Sequence, residues 1–333
     1  VVVDSNNDPE RIRSLDQLRG YAIFGMIVVN YLSYFPAIPF IFHHHRNMYS
    51  YADTIWPLFM FVVGMGMRMS LARRVEKMGR GPAYWSVAKR YLLIAFVGIV
   101  FCGPDYTTDW WNALPVIGLS GVLCIVFIDK GAPVRIAAIA GFMAVYAGIF
   151  HLTGYGDWLA LNSMNGGPLG PISFAVFPLI GSFAWDLRAS GNAKRVIGWS
   201  AGLTAGFIAA GLIAYVLLPA HATLLEYYGP YWPFAQRWAN PPVMFLSAGM
   251  AWAAFGAFYA LCDLRNIEIP TLSILGQNAL TIYLIQFSLM SMHMAYLPRS
   301  SSVPVALLGF VAMYGFLYAT ARWLDRQGIL IKL

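Results

Sequence analysis

Apolar stretches as long as a membrane's hydrocarbon core is thick recur from one end of this chain to the other, which leaves little room for any other architecture. A crossing helix needs about 20 predominantly apolar residues. Such stretches lie near 17–36, 52–72, 85–103, 111–129, 133–152, 170–188, 195–219, 241–262, 270–292 and 303–324. With 59% hydrophobic and 11% charged residues and a mean hydropathy of +0.60, the chain lies outside the range of ordinary soluble domains. The expected fold class is all-α, a polytopic integral membrane protein of about ten transmembrane helices. No polar break is long enough to be a linker, so residues 1–333 read as a single membrane domain. The fourth stretch contains Pro115, and the ninth contains Gln277, Asn278 and Gln286. Such residues are tolerated where neighbouring helices satisfy the freed polar groups.

Basic residues in short loops are retained on the cytoplasmic side. With both termini inside, all 22 Lys and Arg residues except Arg46, Arg237 and Arg299 fall on the cytoplasmic face. The net charge of +7 is then the positive-inside signal plus attraction to anionic membrane lipids, and needs no nucleic acid. Cys102, Cys124 and Cys262 stand in or beside apolar stretches without the spacing of a disulfide, zinc or haem site, and read as packing residues. The first apolar run is too long for a cleavable signal peptide and is followed by further spans. No internal repeat is visible.

Polar groups at membrane depth are costly, so those that remain are candidates for chemistry. Arg19 and Asn30 are eleven residues apart and share one face of the first helix, separated by roughly 16 Å along its axis. Asn30 reads equally as a helix-to-helix hydrogen bond. Asp53, Pro57, Gly64 and Arg68 line about a third of the second helix. Asp53 is either a helix cap or a catalytic carboxylate, and Arg68 either snorkels or holds a phosphate. Between the two helices, after Pro36 and Pro39, stand His43, His44 and His45. They are open to reading as a general base, an interfacial run, a pH sensor, or a metal site with Asp53. A metal is disfavoured because adjacent histidines diverge and no second ligand cluster follows, so no metal is expected. Trp110, Trp111, Tyr155, Trp158, Tyr227, Tyr228, Tyr231 and Trp232 gather in the outer loops. They suit stacking on sugar rings or an interfacial aromatic belt. His221, Glu226 and Asp157 share those loops without a readable role.

The run RIRSLDQLRGYAIFGMIVVN, a following histidine and ADTIWPLFMFVVGMGM resemble the transmembrane acyltransferases related to heparan-alpha-glucosaminide N-acetyltransferase. Arg13, Ser14, Asp16, Arg19 and Gly20 match the family's opening, Asn30 its first-helix asparagine, and Asp53, Pro57, Phe59, Phe61 and Gly64 its second helix. FPLIGSFAWDLRASGNAKR and ILGQNALTIYLIQ resemble its sixth helix and a late helix. Arg46 and Met48 stand near places where the family has tryptophan and glycine. Counted back from Asp53, His43 takes the place of the catalytic histidine, with His44 or His45 taking it if the alignment carries a gap.

The resemblance implies an acyl group, acetyl above all, passed from cytoplasmic acetyl-CoA to a hydroxyl or amine of an extracytoplasmic sugar or glycan. It casts the loop histidine as general base, Asn30 as oxyanion donor and Asp53 as the group that orients the imidazole. Arg13, Arg19, Arg68, Arg73 and Arg74 would hold the donor's phosphates. The expected location is a bacterial cytoplasmic membrane, with partner subunits or homo-oligomers open. Two other readings are a catalytically silent subunit of a larger membrane complex, and a transporter of small molecules or lipid-linked sugars. Against the transporter stands the lack of an inverted repeat.

Overall fold

The computed structural model describes residues 12–45, 48–103, 105–217 and 234–329, and no β-strand occurs among them. The helices are α1 (Arg13–Leu32), α2 (Ala52–Met78), α3 (Arg80–Cys102), α4 (Ala113–Ile128), α5 (Ala132–Leu152), α6 (Tyr155–Asn162), α7 (Gly170–Phe174), α8 (Val176–Ala189), α9 (Ala193–Leu217), α10 (Pro241–Phe258), α11 (Pro270–Gln277), α12 (Ala279–Tyr296) and α13 (Val303–Arg326). A π-helical turn, Tyr259–Leu264, extends α10. The architecture is all-helical, as expected.

Among the described residues, seven helical segments are long and apolar enough to cross a membrane: Ala52–Met78, Arg80–Phe101, Ala132–Leu152, Gly167–Ala189, Ala193–Leu217, Pro241–Leu264 and Val303–Arg326. They make the chain a multi-pass integral membrane protein. The other three predicted spans differ from simple crossings, each for a visible reason. Helix α1 carries Asp16, Arg19 and Asn30 within its 20 residues. Helix α4 has only 16 residues. The ninth stretch is broken at Asn278, where α11 and α12 meet at 88°, so the amides at 277 and 278 mark a corner.

The described residues divide into two compact units, one drawn from 12–44, 50–55 and 254–329, the other from 45, 48–49, 56–103, 105–217 and 234–253. In the first unit the central contact is between α1 and α11. A Cβ on Gly20 would overlap the Leu272 carbonyl, and one on Gly276 would overlap the Asp16 carbonyl. The two backbones touch where small residues permit it, as in other close helix crossings in membranes. Gln17, fully buried, fastens the crossing. Its Nε2 donates to the Ile269 carbonyl (3.0 Å) and to Ser273 Oγ (2.6 Å), and its Oε1 accepts from the Ile269 N–H (3.2 Å).

Helix α1 starts at Arg13, four residues before the apolar run, because its free N–H groups find a distant cap. Asp263 accepts from the Ser14 N–H (3.2 Å) and hydroxyl (2.8 Å), placing a carboxylate at the positive end of the helix. At the corner, the Asn278 side chain donates to the Ile329 carbonyl (3.3 Å).

In the second unit, α3 and α4 are packed at Gly98, Gly118 and Gly121, where added Cβ atoms would meet Pro115, Tyr91 and Ala95. Helices α2 and α8 cross at Gly64 and Gly181, whose Cβ atoms would overlap the Pro178 and Phe61 carbonyls. Arg135 of α5, 3% exposed, reaches Ser182 Oγ (2.6 Å) and Asp186 of α8. Arg68 of α2 donates its Nε–H to the other oxygen of Asp186 (3.0 Å). Two guanidinium groups thus share one carboxylate and tie three helices together, the pairing that makes a buried arginine tolerable.

Candidate active site

Helix α2 begins with a reciprocal cap. The Ser50 N–H donates to Asp53 Oδ2 (3.0 Å), and the Ala52 N–H donates to Ser50 Oγ (3.2 Å). This is a variant of the capping box, with aspartate in the position usually held by glutamate and the serine hydroxyl meeting the second N–H in place of the third. It uses only one carboxylate oxygen. The other, Oδ1, lies 3.1 Å from His44 Nδ1. The capping and functional readings of Asp53 are therefore compatible, since each takes its own oxygen.

Asp53 is 1% exposed, whereas the His44 side chain is 45% exposed. A carboxylate can only accept, so His44 Nδ1 carries the proton and the lone pair of a neutral ring stands on Nε2. An imidazole held this way by a buried carboxylate, with nearly half of its own side chain exposed, has the composition of a general base and its orienting group. The loop before it is short of freedom. Pro39 leads into a helical turn at Phe40–Phe42, the Phe40 carbonyl accepts from the His43 N–H (3.0 Å), and the His43 carbonyl accepts from the Ser50 hydroxyl (2.8 Å).

The three histidines thus separate. His43 Nε2 lies 3.0 Å from the Ile38 carbonyl, which makes that nitrogen a donor and fixes the ring against its own loop. His44 carries the bond to Asp53, and His45 is half-buried.

The start of α2 packs on α1. The Tyr21 and Tyr51 hydroxyls are 3.3 Å apart, the Phe42 and Tyr51 rings are 6.0 Å apart, and Gly25 faces the Ile55 side chain. Asn30 stands further along the same helix, about 7.5 Å beyond Gly25 along the axis. It is half-buried, with its side-chain amide uncommitted among the described residues. The turn that carries it is braced by fully buried Gln286 of α12, which donates to the Met26 carbonyl (3.3 Å).

The predicted phosphate-binding arginines have varied surroundings. Arg13 donates to Asn266 Oδ1 (3.2 Å), Arg19 pairs with Asp16 (3.2 Å), Arg68 with Asp186 and Arg74 with Ser86. Arg73 is exposed on the last turns of α2. Arg13 and Arg19 belong to the first unit, Arg68, Arg73 and Arg74 to the second.

Several of the loop aromatics hold their own loops. Trp111 Nε1 donates to the Tyr106 carbonyl (2.8 Å). The Tyr155 hydroxyl donates to the Gly166 carbonyl (2.6 Å) and accepts from the Leu169 N–H (3.1 Å), while its ring stacks on Trp158 at 5.6 Å. Burial pushes the Tyr155 phenol up to about 12, which keeps it a donor at neutral pH. Arg11, Arg46, His221, Glu226, Tyr227, Tyr228, Tyr231, Trp232 and Lys332 lie outside the described residues.

Three contributors were not picked out from the sequence. Ser50 was readable, because Ser-x-x-Asp ahead of an apolar run is a capping signature. Asp263 and Arg135 were not, since their partners lie 249 and 51 residues away.

Comparison with known proteins shows the family. A sequence model of the family described as heparan-alpha-glucosaminide N-acetyltransferase, catalytic, matches residues 11–215. That segment contains Asn30, His44, Ser50 and Asp53. The human heparan-alpha-glucosaminide N-acetyltransferase is 29% identical over 103 residues, covering 29% of this chain and 15% of that protein. With more than half of its length matched by the family model, the chain belongs to the heparan-alpha-glucosaminide N-acetyltransferase catalytic-domain family.

Proposed function

We propose that this protein is a membrane acetyltransferase, taking acetyl from acetyl-CoA supplied on the cytoplasmic side and passing it to an amine or hydroxyl of a sugar on the opposite side. The observation that carries the reading is the His44–Asp53 pair, inside the segment matched to the family. The acceptor's nitrogen or oxygen attacks the thioester carbonyl while His44 Nε2 takes its proton. Asp53 holds the imidazolium that results. Asn30 donates a hydrogen bond to the developing oxyanion, a contribution of about 3 kcal/mol for a well-placed donor. The adduct collapses by breaking the carbon–sulfur bond, and the departing thiolate takes the proton back from His44.

His43 occupies the expected distance from Asp53 along the sequence, but the hydrogen bond favours His44 as the base. The candidate phosphate-binding groups are Arg13 and Arg19 in one unit and Arg68, Arg73 and Arg74 in the other, each of which would exchange its present partner for a phosphate of acetyl-CoA. The reading has about ten crossings with both termini cytoplasmic, in a bacterial cytoplasmic membrane, and the name of the human relative makes a glucosamine unit the first acceptor to try.

The test is thiol release from acetyl-CoA by the purified chain in detergent with glucosamine as acceptor, comparing His43→Ala, His44→Ala and His45→Ala with the native protein. His44→Ala is expected to lose at least about a hundredfold in kcat, the usual scale for a general base, and the other two much less. A His44→Ala variant with native turnover would overturn the assignment. A native chain that binds acetyl-CoA without turning it over in the presence of sugar acceptors would retire the enzyme reading in favour of a silent subunit.

A further inference from the structure

The geometry points to Ser50 as a positioning residue for catalysis, acting through the histidine loop as well as through the helix cap. The inference rests on the assignment of His44 as base. Ser50 is 7% exposed and makes contacts in two directions. Toward α2, its N–H satisfies Asp53 Oδ2 (3.0 Å) and its Oγ accepts from the Ala52 N–H (3.2 Å). Toward the loop, its hydroxyl proton has two acceptors within reach, the His43 carbonyl at 2.8 Å and Asp53 Oδ2 at 3.4 Å. A hydroxyl has one proton, and the shorter contact takes it.

The consequence lies in which peptide is held. The His43 carbonyl belongs to the peptide that joins His43 to His44, so the bond from Ser50 sets the backbone from which the His44 ring projects. The same serine, through its N–H, occupies Asp53 Oδ2 and leaves Oδ1 to face His44 Nδ1. One residue therefore fixes both partners of the pair, the carboxylate by its backbone and the imidazole by its hydroxyl. His43 itself is secured by its Nε2 on the Ile38 carbonyl (3.0 Å), so the peptide is held from both sides. Small displacements of a reacting group cost heavily in rate, up to about a hundredfold for 1 Å.

A residue that only caps the helix would act on stability alone, and substitutions at position 50 separate the two roles. Glycine is a competent N-cap that lacks a hydroxyl, alanine is a poor N-cap that also lacks it, and threonine retains both functions. The experiment measures kcat and KM for acetyl-CoA, with glucosamine as acceptor, for Ser50→Gly, Ser50→Ala and Ser50→Thr, alongside the thermal midpoint of each and His44→Ala as control. Ser50→Gly and Ser50→Ala are both expected to lose about tenfold or more in kcat with KM for acetyl-CoA unchanged. Ser50→Ala should lose more thermal stability than Ser50→Gly, and Ser50→Thr should restore kcat to within about threefold of native. A native kcat in Ser50→Gly, or a kcat in Ser50→Thr as low as in Ser50→Ala, would overturn the proposal while His44→Ala remained inactive. Native turnover in His44→Ala would instead remove the base on which it rests.

Discussion

Asn30 and Asp53 differ in what the fold asks of them, and that difference separates chemistry from architecture. Asp53 accepts from Ser50 on one oxygen and faces His44 with the other. An asparagine offers one acceptor oxygen in place of two, so Asp53→Asn either gives up the cap or turns its NH2 to His44, which places the imidazole proton on Nε2 and removes the base. Asp53→Asn is expected to reduce kcat by about a hundredfold or more and to lower folding stability by about 1 kcal/mol, the usual worth of a cap. Asn30 makes no such commitment among the described residues. Asn30→Ala should cost about a hundredfold in kcat if the amide serves the oxyanion, with the thermal midpoint unchanged. Steady-state kinetics and thermal unfolding on the same preparations check both. A drop in stability without a drop in rate would mark Asn30 as a helix-packing residue after all.

Between helices, stability is concentrated at close backbone approaches made possible by glycine. Gly20 of α1 has the Leu272 carbonyl where its Cβ would be, whereas Gly202 of α9 has nothing within 4 Å of that position. Gly20→Ala must push α1 away from α11 and strain the three Gln17 hydrogen bonds that fasten them. It is expected to cost at least about 1–3 kcal/mol, the range for overpacking, with backbone contact at the severe end. Gly202→Ala is expected to be neutral or slightly stabilising, since alanine is the better helix former by roughly 1 kcal/mol in an exposed helix interior. Thermal unfolding in detergent distinguishes the two, and equal losses would show that glycine content alone, rather than the α1–α11 contact, governs stability. The same contact bears on the site, because α1 carries Asn30 and packs at Gly25 against Ile55, two residues after Asp53.

Topology is where charge along the chain has its largest effect. The distribution of Lys and Arg predicts that position 265 faces the cytoplasm and position 299 the opposite side, with the α11–α12 corner between them. In a background with the native cysteines replaced, Arg299→Cys should react with a membrane-impermeant thiol reagent added to intact cells or spheroplasts, and Arg265→Cys only after the membrane is opened. Labelling of both from outside would mean that the bent pair turns back without crossing, and the helix count would fall accordingly.

The all-helical membrane architecture was legible directly from the residues, because hydropathy and charge are properties that each segment carries with it wherever it packs. The candidate residues were legible too, since Asn30, the histidines and Asp53 stand out as polar groups in apolar surroundings. The corner at Asn278 could be suspected from its amides but not located as a bend of 88°. What required the folded chain was every relation between distant segments: Asp263 capping α1, Gln17 fastening α11, and Arg135 sharing Asp186 with Arg68. The choice among three adjacent histidines required it as well. Neighbouring side chains on one loop are equivalent in composition and differ only in direction, and direction is set by which acceptor each ring meets, the Ile38 carbonyl for His43 and the Asp53 carboxylate for His44.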